Sequence, residues 1–288
     1  MFRFTVLGSG SAGNCALVET EHTRVLVDAG LSARQIVSRL ALLGLQPDQI
    51  AAVLLTHEHG DHVGGLEVLC RRWDVPIYTN ALTADALRNA GQLPNHRNWR
   101  LFQTGRDFAL EDLEIQNFPV PHDAADPVGF VFNRAGAGLA VLTDLGQVTK
   151  LVFTRVRHVT TLYIETNHDG PLLQQDTKRP WSVKQRILSR HGHLSNDAAA
   201  TAIGELRESG APLERVVLGH LSRDCNRPDL AVGAVRARAG VGFEIHCAQQ
   251  TAVSPRFTVS PAKEQGTRQS AENSRIAEDE LLAQIDLL

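Results

Sequence analysis

Between residues 57 and 62 the chain sets four metal-capable side chains, His57, His59, Asp61 and His62, inside the segment Thr56-His57-Glu58-His59-Gly60-Asp61-His62. Neutral imidazole and ionised carboxylate are ordinary ligands of zinc and comparable ions, and a catalytic site keeps one position open for water or substrate. The apolar run over residues 52–55 predicts a strand ahead of this segment. Leaving that strand, His57 and His59 point one way by two-residue alternation, while Asp61 and His62, at the start of the next helix, point another. That geometry suits two metal ions rather than one. Asp61 also stands where it would cap a helix beginning at Val63. Four groups do not fill two coordination shells, so the remaining ligands must come from the ends of later strands. His122 follows Phe118-Pro119-Val120-Pro121, Asp144 follows residues 139–143, and His220 follows residues 216–219. Two cations a few ångströms apart lower the pKa of a water between them and clamp phosphoryl oxygens, so the set implies hydrolysis.

The elements that must deliver these residues alternate between strand and helix. Strands are expected at residues 2–7, 15–19, 24–27, 52–55, 113–118, 129–133, 139–142, 160–164, 216–218 and 243–246, from short apolar runs bounded by turn residues. Helices are expected at residues 33–43, entered through Ser32 and stopped by Gly44, and at 63–73, 182–190, 196–209 and 228–238. No repeat of fixed period accompanies them, which predicts an α/β layered domain in which two sheets share a core and helices cover the outside.

Apolar residues make up 43% of the 288 and charged residues 21%, which excludes a fibrous or wholly disordered chain. The net charge is −3, so a contact with nucleic acid needs a locally basic surface rather than a basic protein. No stretch approaches the roughly 20 apolar residues of a membrane span, and the opening MFRFTVLGSG lacks the apolar core of a signal peptide; no membrane and a cytoplasmic location are expected. Cys15, Cys70, Cys225 and Cys247 form no C-x-x-C pair and are expected as buried free thiols. From residue 263 the chain turns polar. Two units follow: a hydrolase domain over 1–262 and a disordered tail over 263–288 ending in an apolar peptide.

An H-x-H-x-D-H loop followed by a His, an Asp and a His is similar to the signature of the metallo-β-lactamase superfamily, and Val27-Asp28-Ala29-Gly30 resembles its first motif. The resemblance implies the four-layer αββα sandwich of that fold. It also implies that His57, His59 and His122 hold one divalent ion, Zn²⁺ or Mn²⁺, that Asp61, His62 and His220 hold a second, and that Asp144 bridges them. Asp28 would support the loop from behind, its other reading being a helix N-terminal residue. Closer still is the YycJ/WalJ group, through Val6-Leu7-Gly8-Ser9-Gly10-Ser11-Ala12-Gly13-Asn14, Pro121-His122-Asp123-Ala124-Ala125, Glu165-Thr166-Asn167-His168-Asp169, Arg179-Pro180-Trp181-Ser182, Gly192-His193-Leu194-Ser195-Asn196 and Gly219-His220-Leu221-Ser222. Members look like exonucleases acting on DNA. The interval from Asp144 to His220 leaves no room for the inserted cap of RNase J and CPSF-type nucleases, and the arm of tRNase Z has no counterpart.

A phosphodiester also needs its leaving alkoxide protonated, and His193, before a helix N-terminus and where related phosphodiesterases carry a non-ligand His, is the candidate; packing alone is its other reading. Asn167 and His168 border the pocket or satisfy a turn. Ser11 and Asn14 lie in a glycine-rich loop that either offers backbone N–H groups to a phosphate or makes a tight turn beside the metals. Lys178, Arg179, Trp181, Lys184 and Arg186 fall in an acid-free basic segment, residues 178–190, which is a charged helix face or a holder of phosphates and bases. The C-terminal Gln284-Ile285-Asp286-Leu287-Leu288 is similar to peptides that bind the sliding clamp, with Gln284, Leu287 and Leu288 as contacts, or else forms a short helix on the protein's own surface. The function expected is a dinuclear-metal hydrolase of phosphodiester bonds, a DNA (exo)nuclease, with DNA favoured over RNA; the alternative is a small-molecule hydrolase of a cyclic phosphodiester or thioester.

Overall fold

The computed structural model describes residues 1–93 and 96–262, so the tail beyond 262 and the contacts expected of Gln284, Leu287 and Leu288 lie outside the described residues. The first half holds β1 (Arg3–Gly8), β2 (Cys15–Glu19), β3 (Arg24–Val27), α1 (Ala33–Leu42), β4 (Ala52–Leu54), α2 (Gly60–Val63), α3 (Leu66–Trp73), β5 (Ile77–Thr79), α4 (Ala81–Asn89) and β6 (Trp99–Leu101). The second holds β7 (Phe108–Leu110), β8 (Leu113–Pro119), β9 (Val128–Arg134), β10 (Ala137–Leu142), α5 (Lys150–Val156), β11 (Thr161–Glu165), α6 (Gly170–Gln175), α7 (Trp181–Ile187), α8 (Asn196–Glu208), β12 (Arg215–Gly219), α9 (Pro228–Ala239) and β13 (Glu244–Cys247). A last strand, β14 (Phe257–Thr258), returns to β1.

Two seven-stranded sheets result, in the orders β14-β1-β2-β3-β4-β5-β6 and β13-β12-β11-β10-β9-β8-β7. Each begins with antiparallel hairpins and continues in parallel strands, β3-β4-β5-β6 in the first and β10-β11-β12-β13 in the second. Because side chains alternate along a strand, each central strand feeds two cores. Phe4 and Val6, Val25 and Val27, and Leu139 and Val141 point into the core shared by the sheets. Leu7, Leu26 and Val53 point the other way, onto α1 and α3 through Ile36, Leu40 and Leu69. Ala140, Leu142 and Leu218 meet α5, α8 and α9 through Val152, Ile203 and Val235. This is an αββα sandwich in which central strands such as β2, β10 and β11 are buried on both faces and read as near-continuous apolar runs, whereas β8 alternates.

One expected helix is interrupted. Residues 63–73 were one periodic segment in the sequence, yet the chain forms α2, breaks at Gly64-Gly65 and resumes as α3. The cause is the loop after β3: Gly65 N–H donates to Ala29 O at 2.8 Å, and a Cβ on Gly65 would lie 2.1 Å from Leu31 O. Gly30 is packed as tightly, with Asp61 O 1.6 Å from where its Cβ would stand. The loop after β3 and the His-rich loop therefore run backbone against backbone. All four cysteines are free thiols, three of them buried, and none of the described helices is long and apolar enough to cross a membrane.

Candidate metal centre

The sandwich gathers strand ends along one edge. Asp28 follows β3, His57 follows β4 after Leu55 and Thr56, Asp144 follows β10 after Thr143, and His220 follows β12. Asp28, Asp144 and His220 share a backbone device: each has positive φ, at 61°, 53° and 54°. Asp and His are among the few non-glycine residues that enter this region, and the conformation turns the chain sharply as it leaves the strand.

Asp28 does not serve helix α1, whose N-cap is Ser32. Its carboxylate accepts from Thr56 N at 2.8 Å, from Thr56 Oγ1 at 2.9 Å and from His62 Nδ1 at 2.7 Å. With its Nδ1 proton committed there, His62 turns Nε2 toward Asp144 Oδ2 at 2.9 Å and Asp61 Oδ2 at 3.5 Å. Asp61 Oδ2 also lies 3.2 Å from His220 Nε2, so Asp61 faces this cluster, and α2 has no side-chain cap. On the other side His122 donates Nδ1–H to Gly192 O at 3.0 Å, and its Nε2 faces His59 Nδ1 at 3.3 Å. His57 Nε2 is buried with no hydrogen-bonding partner among the described residues.

Two groups of ligand atoms result, each within 4.8 Å of one another: His57, His59 and His122, then Asp61, His62, Asp144 and His220. Asp144 reaches both, because its Oδ1 is 3.8 Å from His122 Nε2 while its Oδ2 touches the second group. An orphaned buried nitrogen on His57 and the ring nitrogens of His59 and His122 facing each other fit a divalent cation, since imidazoles held on the far side, as His57 is by Thr56 and His122 by Gly192 O, present bare acceptors inward. A third group contains Asp144, Glu165, His193 and His220. There the wholly buried Glu165 is already saturated: Oε1 accepts from His193 Nδ1 at 2.7 Å and His220 Nδ1 at 2.9 Å, and Oε2 from Leu145 N at 3.0 Å and Leu194 N at 3.3 Å. We read it as an orienting carboxylate rather than a ligand. Burial raises its pKa, but the charge and hydrogen bond of His193 outweigh this and bring it to about 2. His193 in turn, pulled down by burial, is raised on balance by Glu165. Its ring stands 5.2 Å from that of His122 and 5.3 Å from that of His220, between the two ligand groups.

The role of Glu165 is unassigned at the level of sequence, although a carboxylate closing the buried strand Leu162-Tyr163-Ile164 is a usable signal. Several expected substrate contacts are placed elsewhere. Asn14 is buried, its Oδ1 accepting from Gly10 N at 2.9 Å and its Nδ2 lying 3.3 Å from Asp61 Oδ2, so it braces Asp61 from behind. The glycine-rich loop is a tight turn rather than a phosphate cradle, because the N–H groups of Ser9, Gly10, Ala12, Gly13 and Asn14 are all spent internally. Ser11 remains exposed. Asn167 is buried and clamps the His220 loop, donating to His220 O at 3.1 Å and accepting Ser222 N–H at 2.8 Å. His168 is 1% exposed, and its backbone O accepts Asn196 N–H at 2.8 Å. Lys184 is 7% exposed and donates to Gln174 O at 2.9 Å, where it caps the end of α6; it sits one turn from Trp181 on the inward side of α7. Lys178 pairs with Asp224, and Arg179 with Asp176 and Asp224. Arg186 pairs with Asp123, beside His122, and Trp181 is 61% exposed.

Residues 23–221 match the family model described as beta-lactamase superfamily domain. An exodeoxyribonuclease YycJ of Bacillus anthracis is 36% identical over 251 residues, covering 84% of this chain and 94% of that protein. An exodeoxyribonuclease WalJ of Streptococcus pneumoniae is 37% identical over 233 residues, covering 80% and 85%. Among solved structures, the metallo-β-lactamase fold protein YhfI of Bacillus subtilis superposes with a TM-score of 0.66 at 17% identity, over 88% of this chain and 98% of that one, which is a likeness of fold. A metal-compatible cluster at the strand ends of an αββα sandwich, together with this identity along nearly the whole of a relative, places the chain in the beta-lactamase superfamily, as a hydrolase of the YycJ and WalJ group.

Proposed function

We propose that the chain is a dinuclear phosphodiesterase that degrades DNA as an exonuclease. The observation that carries this reading is the joint arrangement of the two ligand groups meeting at Asp144 with a non-ligand imidazole, His193, standing between them on Glu165. The names of the relatives, both exodeoxyribonucleases, support DNA as the polymer. His57, His59 and His122 would hold one ion and Asp61, His62 and His220 the other, with Asp144 shared; all-N/O ligation suits Zn²⁺ or Mn²⁺. When bound, such ions polarise the phosphoryl group and activate water.

The chain's own residues do the rest. Asp28, Gly192 O and Glu165 fix the far nitrogens of His62, His122 and His220, so that each ring offers its other nitrogen inward without reorganising. Glu165 favours the protonated form of His193, whose second nitrogen can then give its proton to the leaving alkoxide as a general acid. At the rim, Arg186 and the exposed Trp181 on α7 are suited to a phosphate and a base of the incoming strand. The four unpaired thiols accord with a reducing, cytoplasmic setting. Gln284, Leu287 and Leu288 would recruit the domain to a sliding clamp. The deciding experiment incubates metal-loaded protein with end-labelled DNA and RNA beside a small phosphodiester, with His59→Ala as control. Shortening of DNA from one end by wild type but not by the control is expected; turnover of the small diester alone overturns the nuclease reading.

A further inference from the structure

A cavity of about 460 Å³ by Cys70 and His96 lies away from the strand ends that carry the chemistry. A larger one, about 730 Å³, adjoins them. It lies where the glycine-rich loop after β1, the loop after His220 and the segment after β13 come together, with Arg179 on its edge. Its floor is tied to the metal centre: Ser9, on the lining, accepts His220 N–H at 2.7 Å through Oγ. The volume falls within the roughly 300–1,000 Å³ of pockets that take small molecules.

The lining has two characters. Ala12, Leu221, Pro228 and Ala248 give it apolar wall, suited to the face of a base or sugar. Its ionic groups are Arg179, Arg223 and Asp224. Asp224 is neutralised by Lys178 and Arg179, whereas Arg223 is exposed and takes part in none of the ion pairs found among the described residues. One uncompensated cation matches one phosphate, and a continuing backbone would need a row of them.

We propose that this cavity seats the terminal nucleotide of the strand, a deoxynucleoside monophosphate unit, with its base against Leu221 and Ala248 and a phosphate on Arg223. The assignment rests on the nuclease reading and gives it a direction: a one-nucleotide pocket beside His220 makes the enzyme release mononucleotides from an end instead of cutting internally.

The test is calorimetric titration of the metal-loaded full chain with deoxyadenosine and thymidine 5′-monophosphates. Two variants accompany it: Arg223→Ala removes the cation, and Thr251→Trp, at an exposed lining position, fills the space. Loss of one charge-assisted contact or of the seat itself weakens binding by about tenfold or more. Weaker binding in both variants, with an unchanged circular dichroism spectrum, supports the pocket. Absence of binding to wild type, or equal affinity in all three proteins, overturns it. The nuclease reading is judged separately by DNA cleavage in wild type against His59→Ala. DNA cleavage without mononucleotide binding rejects the pocket alone, and mononucleotide binding in a protein that cleaves no DNA rejects the nuclease reading while leaving the pocket's ligand identified.

Discussion

Replacing Glu165 by glutamine preserves shape and reverses the hydrogen bonding at one end of a buried side chain. All four partners of Glu165 are donors: His193 Nδ1, His220 Nδ1, Leu145 N and Leu194 N. A glutamine brings one acceptor oxygen and an NH₂ group that only donates. If the NH₂ faces the backbone, two amide N–H groups are stranded inside the protein, at about 1–3 kcal/mol each. If it faces the imidazoles, both rings must carry their proton on Nε2. His220 Nε2, 3.2 Å from Asp61 Oδ2, then bears a hydrogen where a lone pair is needed. Removing the partner of a ligating imidazole costs about 10–100-fold in metal affinity, or about 1.4–2.7 kcal/mol. In Glu165→Gln, equilibrium dialysis with elemental analysis should show the ion on the Asp61 side weakened by that factor while the His57 side keeps its ion. Diester hydrolysis should fall at limiting metal and recover only partly at saturation, because His193 has also lost its support. A folded Glu165→Gln protein that binds both ions as wild type does and keeps its kcat would refute the orienting role.

His193→Ala should retain its metal yet lose about 10²-fold in kcat, the usual scale for a general acid; activity near wild type would move that role elsewhere. Metal binding should release protons: burial pulls His62 and His220 down, but Asp144 with Asp28, and Asp144 with Asp61 and Glu165, lift them well above the ordinary value, so the free protein holds protons that an ion must displace. Affinity then rises with pH, and calorimetric heats that do not change between buffers of different ionisation enthalpy would contradict this. Lys184→Ala should lower stability by about 1–3 kcal/mol in chemical denaturation, from its lost bond to the end of α6, without altering the salt dependence of DNA binding. Deleting residues 284–288 should abolish capture by a sliding clamp at unchanged melting temperature; a lowered melting temperature in a protein that never bound the clamp would assign that peptide to the chain's own surface.

Which parts of this molecule can be read from sequence follows from how many residues each signal spans. Central strands such as β10 and β12 are apolar on both faces because each serves two cores, and β8 alternates; both patterns stand out, and β8 to β12 were all expected within about two residues of their observed ends. Strand β5 and the edge strands β6 and β7 have three residues each, too few for any period to show. They exist because a neighbouring strand is there to pair with, which is a tertiary fact. The break between α2 and α3 did have a local sign, because Gly64-Gly65 costs an isolated helix about 2 kcal/mol, but its cause is tertiary: the backbone of Leu31 lies where a side chain on Gly65 would stand.

At the site the legible residues are those whose chemistry is rare, and the illegible ones are those that borrow common chemistry for a buried purpose. His57, His59, Asp61 and His62 announce themselves by density alone. Lys184 looked like its neighbours Lys178 and Arg186, because a cation that caps a helix end and a cation that waits for phosphate are the same residue until the helix phase is known. Asn14 and Asn167 likewise admit a substrate-facing or a turn-satisfying reading in the sequence, and the structure shows them holding Asp61 and the His220 loop in register from within. The positive φ of Asp28, Asp144 and His220 is the last step of this kind. Each such residue stores about 1–3 kcal/mol of backbone strain, and it persists only because its surroundings fix it: Thr56 and His62 at Asp28, the imidazoles at Asp144, Ser9 and Glu165 at His220. At Asp144 and His220 the strain and the inward-facing side chain therefore have one origin, a chain forced to turn as it leaves its strand, and at Asp28 the same turn aims the carboxylate at the far side of His62.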